Sequence, residues 1–171
     1  MVTSAAFVAT VVAAGGVDLR SRRIPNALSV GGLALALILR LPLGWGNVVD
    51  GLLGGGLGLA LAFPIFLAGG LGGGDVKLLA AVGGYMGPGQ LVGACLLIAL
   101  LGGAFALADA ARQGALRAVL LNVFYMLTRW MSPDRRSLSP TLTSPAAMSI
   151  PYGVPIAVGS LVWWFWGGSL V

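Results

Sequence analysis

Gly72-Gly73-Gly74-Asp75-Val76-Lys77 interrupts a chain that is apolar on both sides, with apolar segments at about 49–68 before it and 76–87 after it. If those neighbours cross a membrane, Asp75 stands at the edge of the bilayer or inside it. An ionised carboxylate there is costly, and its default explanation is function. Composition decides the condition. Of 171 residues 58% are hydrophobic and 9% charged, whereas a soluble domain carries roughly 25% charged residues. The sequence predicts an all-α integral membrane protein.

What is missing prunes the chemistry. The chain has no histidine and no glutamate, so Ser-His-Asp triads, Cys-His pairs and histidine zinc sites are excluded. Its acids are Asp18, Asp50, Asp75, Asp109 and Asp134; its only lysine is Lys77. The single cysteine, Cys95, lies inside an apolar run, which leaves no disulfide framework. Paired aspartates are the catalytic apparatus this alphabet offers, with a Ser-Lys dyad the weaker choice. No metal or organic cofactor is expected.

Apolar segments fall at about 1–17, 27–43, 49–68, 76–87, 91–110 and 150–166, most of them near the ~20 residues of a spanning helix. Read as six transmembrane helices, they place Arg20, Arg22, Arg23, Lys77, Arg112, Arg117, Arg129, Arg135 and Arg136 on one side and only Arg40 on the other. The positive-inside rule makes the crowded side cytoplasmic and puts both termini outside. The basic excess therefore reports topology, and no nucleic-acid partner is expected. Asp18 and Asp75 share the cytoplasmic face. The first segment does not read as a signal peptide, because its basic residues follow the apolar run.

Between the last two spans, Leu116, Val119, Leu120, Val123, Met126, Leu127 and Trp130 form one helical stripe. That pattern predicts a cytoplasmic interfacial amphipathic helix over about 112–130; a seventh span would bury Arg117. A Ser-, Thr- and Pro-rich mobile loop is expected over about 131–149, within a single membrane-embedded domain of residues 1–171. Gly54-x-x-x-Gly58 and Gly83-x-x-x-Gly87 read as close helix packing.

The fourth segment is short. From Val76 to Met86 a helix rises only roughly 16 Å, against a hydrocarbon core of about 30 Å. Either Gly87-Pro88-Gly89 continues the helix, or the segment starts below the membrane surface beside a watery cavity. Each charged residue also has a plainer role. Asp18 can pair with Arg22, Asp75 can N-cap the fourth helix, and Lys77 can snorkel. Asp109 has Arg112 three residues on, Asp50 lies on the far side, and Asp134 is in the loop.

Taken together, two aspartates on one face, one of them behind a glycine run, point to an intramembrane aspartyl protease. Asp18 followed by Ile24-Pro25-Asn26, Gly72-x-Gly74-Asp75 with Val76-Lys77-Leu78, and Ile150-Pro151-Tyr152-Gly153 resemble the type IV prepilin peptidases over nearly the whole chain. The resemblance implies that Asp18 and Asp75 are the catalytic pair. It also implies that Gly72, Gly74, Lys77, Pro25, Asn26, Pro151, Tyr152 and Gly153 belong to the motif or substrate cavity. The implied substrate is a pilin-like precursor with a short basic leader beside a hydrophobic helix. Cleavage would occur at the cytoplasmic face of a bacterial inner membrane. The larger bifunctional members carry a cysteine-rich N-terminal segment and methylate the new N-terminus. Asp18 lies too early for that segment, so the chain resembles the short, peptidase-only type of Flp (tight-adherence) pilus systems, without methyltransferase activity.

Two carboxylates in one site do not both ionise cheaply, so one is expected to hold a proton near neutral pH. The ionised one takes a proton from attacking water and the other donates to the oxyanion; the residues alone do not say which is which. A non-enzymatic transporter or channel subunit using the same aspartates is the alternative from another class. A presenilin-like Gly-x-Gly-Asp protease is the alternative within the chemistry. The precursor's identity and the oligomeric state are left open.

Overall fold

The computed structural model describes residues 1–67, 70–117, 121 and 152–167, which form helices joined by short turns, with no strand among them. The interfacial helix expected over about 112–130 and the loop over about 131–149 fall outside these residues, apart from 112–117 and 121. Six helices are described: α1 Val2–Ser21, α2 Asn26–Arg40, α3 Trp45–Leu67, α4 Gly73–Met86, α5 Pro88–Arg112 and α6 Gly153–Trp166. The chain divides into two compact units, residues 1–102 with 150–171, and residues 103–149.

Four helical segments are long and apolar enough to cross a membrane: α1, α2 with its terminal turn to Leu43, α3 and α5. Large apolar side chains such as Ile38, Leu52, Leu59, Phe63, Leu96 and Leu100 stay exposed on them, which suits lipid and not water. The protein is a multi-pass membrane protein. Helices α4 and α6 have 14 residues each, about 21 Å of rise.

In the first unit α4 is the central helix. Val76 and every residue from Leu78 to Met86 are buried, as expected of a helix apolar all round. The short fourth segment does not continue through Gly87-Pro88-Gly89 as one helix. Gly87 adopts φ 79° and α5 begins at Pro88.

Small residues let neighbouring backbones reach α4. Gly54 of α3 lies on the Gly83 carbonyl, and a Cβ at Gly58 would come 2.6 Å from the Leu79 carbonyl oxygen. The Gly54–Gly58 pair thus packs as its spacing predicts. Gly83 and Gly87 both lie against Gly54 as well, and Gly87 also makes the turn, beside the Asp50 carboxylate. Across the bundle, Phe7 of α1 stacks on Trp164 of α6 with centroids 4.5 Å apart and meets Tyr85 of α4 edge-on at 5.4 Å. Trp163 covers Gly93 of α5 and donates its indole N–H to Gln90 Oε1 at 2.9 Å.

A buried arginine joins α2, α3 and α4 at the end of the bundle away from Asp75. Arg40 is 8% exposed. Its Nη1 donates to the Asn47 carbonyl and to Asp50 Oδ2, both at 2.9 Å, and its Nη2 donates to the Tyr85 carbonyl at 2.8 Å. The Tyr85 carbonyl belongs to the last turn of α4, where no intrahelical donor is left. Arg40→Met removes these bonds, strands the buried Tyr85 carbonyl and leaves Asp50 without its cation. It is expected to lower unfolding free energy by about 2–4 kcal/mol, read as a fall in Tm in detergent solution.

In the second unit, α5 stops before Gly114, whose φ is 67°. Asp109 does not pair with Arg112 as its spacing predicts. Its Oδ2 accepts a hydrogen bond from Gln113 Nε2 at 2.9 Å, one residue further on.

Candidate active site

Asp18 sits in the last turn of α1 on the face that buries Phe7, Val11 and Ala14, because steps of three and four residues keep one side of a helix inward. The chain leaves α1 through Arg22, whose left-handed φ of 50° turns it while its N–H bonds the Asp18 carbonyl at 2.8 Å. Ile24 is buried, and Pro25, with φ −61°, N-caps α2. Eight residues after Asp18 the chain has thus reversed into the helix packed beside it.

Asp75 arrives from the other direction. Gly72, not Asp75, is the N-cap of α4; Asp75 is the third helical residue. Its Oδ2 accepts the Gly72 N–H at 3.0 Å, the carboxylate half of a capping box. Both aspartates are buried, with 4% exposure for Asp18 and 8% for Asp75.

The two share one cleft of about 270 Å³, lined by Asp18, Arg22, Arg23, Ile24, Gly72, Gly73, Gly74 and Asp75. No hydrogen bond joins the two carboxyls, and each is held by a backbone N–H. Asp18 Oδ2 accepts the Gly153 N–H at 2.8 Å from the start of α6. Burial raises the Asp75 carboxyl to a pKa of about 6; the Gly72 N–H works against that rise and the neighbouring Asp18 charge adds to it. The electrostatic coupling is what two carboxylates of one site produce.

The pairing of Asp18 with Arg22 suggested by their spacing is not formed. Neither Arg22 nor Arg23 makes an ion pair with either aspartate, although both line the cleft. Of the other motif residues, Gly72 and Gly74 line it. Gly74 lets α4 lie against Ile24, since a Cβ there would stand 3.0 Å from the Ile24 Cβ. Gly153 touches Asp18 directly. Tyr152 lies beside Gly102, and Pro151 falls outside the described residues. Pro25, Asn26 and Lys77 are not among the cleft residues. Lys77 is exposed and donates from Nζ to Asn26 Oδ1 at 2.8 Å.

Sequence reasoning missed Arg22, Arg23, Ile24 and Gly73 as cleft residues. The signal was present, since they fill the gaps between the motif positions. Among the described residues no cluster of three or more His, Cys, Asp or Glu side chains could hold a metal ion. The arrangement offers two buried carboxyls, the proton affinity of Asp75 raised by burial, with backbone donors behind them and glycine walls that admit another chain.

A family model described as the type IV leader peptidase family matches residues 5–107, which include both aspartates. No curated protein and no solved structure matches the chain.

Proposed function

Because the chain belongs to the type IV leader peptidase family, and is therefore a peptidase, we propose that it is an intramembrane aspartyl endopeptidase in which Asp18 and Asp75 activate water. The observation that carries this reading is the shared cleft, in which two buried carboxyls, 57 positions apart in sequence, face the same space. The proposed substrates are pilin-like precursors with a short basic leader and an adjoining hydrophobic helix.

In the proposed mechanism Asp75 carries the proton, since burial raises its pKa toward neutrality. Asp18 accepts a proton from water as the water oxygen attacks the scissile carbonyl carbon, and Asp75 donates its proton to the carbonyl oxygen. Collapse of the tetrahedral intermediate breaks the C–N bond: the proton held by Asp18 passes to the leaving amine, and a hydroxyl proton of the intermediate returns to Asp75. The products are a leader ending in a carboxylate and a chain with a new N-terminal amine. A transporter reading finds less support. The two acids lie at one end of α4, the Arg40–Asp50 pair at the other, and the buried residues of α4 between them are uncharged.

The test is co-expression with a precursor carrying a basic leader: the chain should shorten it on a gel, and failure of any such precursor to be cut counts against the reading. The proposed orientation has residues 18–26 in the cytoplasm of a bacterial inner membrane, residues 40–48 outside and both termini outside. In a Cys95-free background, Asn47→Cys should react with a membrane-impermeant thiol reagent on intact cells while Ser21→Cys does not. Labelling of Ser21→Cys from outside overturns this orientation.

A further inference from the structure

We propose that Lys77 is a positioning residue: by donating to Asn26 it latches the first turn of α4 to the first residue of α2, and so holds Asp75 in register with Asp18. The inference rests on the catalytic reading above. It starts from how little anchors the glycine segment that leads into α4, ahead of the buried Val76 and Leu78. The segment before Asp75 is Gly72-Gly73-Gly74, which has no side chains to pack and the widest backbone freedom of any residue type. A Cβ placed at Gly72 would meet only Asp75 itself, and one at Gly73 only Phe66, at 3.8 Å.

Beyond the capping bonds between Gly72 and Asp75, two contacts tie the start of α4 to another part of the chain, and both lead to the same short stretch. Gly74 lies against Ile24, whose backbone and Cβ are its nearest neighbours. Lys77 Nζ reaches Asn26 Oδ1 at 2.8 Å across 51 positions of sequence. Lysine has only donors, so the amide oxygen must be the atom that faces it. Ile24 and Asn26 are themselves tied to Asp18 by the tight turn through Arg22 and Pro25. One path from one carboxyl to the other thus runs through Ile24 and Gly74 in the cleft wall, and a second through Asn26 and Lys77, outside the cleft. A lysine that only snorkels would have no need of one acceptor at hydrogen-bond distance.

The experiment uses the full chain in detergent or lipid, with a synthetic precursor bearing a basic leader and a hydrophobic helix. Lys77→Met and Asn26→Ala should each lower kcat roughly tenfold, since small misplacements of a reacting group are costly. KM should stay within about twofold, because binding contacts are untouched. Tm should be unchanged, because both side chains are exposed. The double variant should be no worse than either single one. The exchanged pair, Asn26→Lys with Lys77→Asn, restores a donor and an acceptor and should recover most of the lost kcat. A rise in KM with kcat retained would mean that Lys77 contacts substrate, and the latch would be wrong. Wild-type kcat in the single variants, or no recovery in the exchanged pair, would also overturn it. Should Lys77→Met fold poorly, the exchanged pair decides alone. Asp75→Asn in the same assay separates the two claims. If it is inactive while Lys77→Met is unaffected, only the latch fails; if it is active, the aspartyl mechanism itself fails.

Discussion

Asp75→Asn and Asp18→Asn should each leave a co-expressed precursor uncut, with processing reduced at least roughly a thousandfold. The double variant should be little worse than either single one, because residues acting as a unit do not contribute additively. Asparagine is the right probe for physical reasons. In the native site Asp75 accepts the Gly72 N–H and Asp18 accepts the Gly153 N–H. An asparagine carbonyl oxygen can accept the same bonds in the same volume. The variants should therefore keep the fold, seen as unchanged membrane level and a homogeneous detergent-solubilised species, while losing the carboxyl that moves a proton. Asp50→Asn should keep most activity, since its oxygen can still accept from Arg40. So should Asp109→Asn, whose partner is the neutral Gln113. Full processing by a well-expressed Asp75→Asn protein would end the aspartyl reading.

Gly153→Ala should be nearly as damaging to activity, although it changes no ionisable group. A Cβ at position 153 would stand 2.8 Å from both the Cβ and the Oδ2 of Asp18. Nothing there can yield except Asp18 or the start of α6. Either movement breaks the 2.8 Å bond from the Gly153 N–H and displaces a buried carboxylate. A displacement of about 1 Å in a catalytic group is enough for a loss on the order of a hundredfold in kcat. The accompanying overpacking should cost about 1–3 kcal/mol of stability. The two effects are separated by measuring kcat well below Tm. An alanine variant with wild-type kcat would show that Asp18 needs neither this position nor this donor.

The contrast between Gly153 and Lys77 indicates how motifs of this kind are to be read. Both stand in short elements that resemble one family, yet they meet different needs. Gly153 is small because a carboxylate occupies the space its side chain would take. Lys77 is exposed, and its charge points away from the cleft toward Asn26. The motif resemblance assigns both to the site and cannot tell their roles apart.

Composition by itself settled the class of molecule, because a chain with so few charges has no soluble way to cover its surface. The apolar segments also matched helices to within a few residues, as with 27–43 against Asn26–Arg40 and its terminal turn, or 49–68 against Trp45–Leu67. Backbone hydrogen bonds within a helix are local, so apolar length and Gly-Pro punctuation are enough to reveal one. The two aspartates were legible as candidates for the same reason: a charge beside an apolar run is visible without coordinates. Their partners were not. Local spacing offered Arg22 to Asp18 and Arg112 to Asp109, but Asp18 is held by Gly153, 135 positions away, and Asp109 by Gln113. Arg40 read as a mere topology marker and is a buried pin on the Tyr85 carbonyl of α4. The plainer role open to Asp75, N-cap of α4, is taken by Gly72. Those outcomes depend on which helix ends meet. Burial sets that order through contacts between residues far apart in sequence, and only the folded bundle contains them.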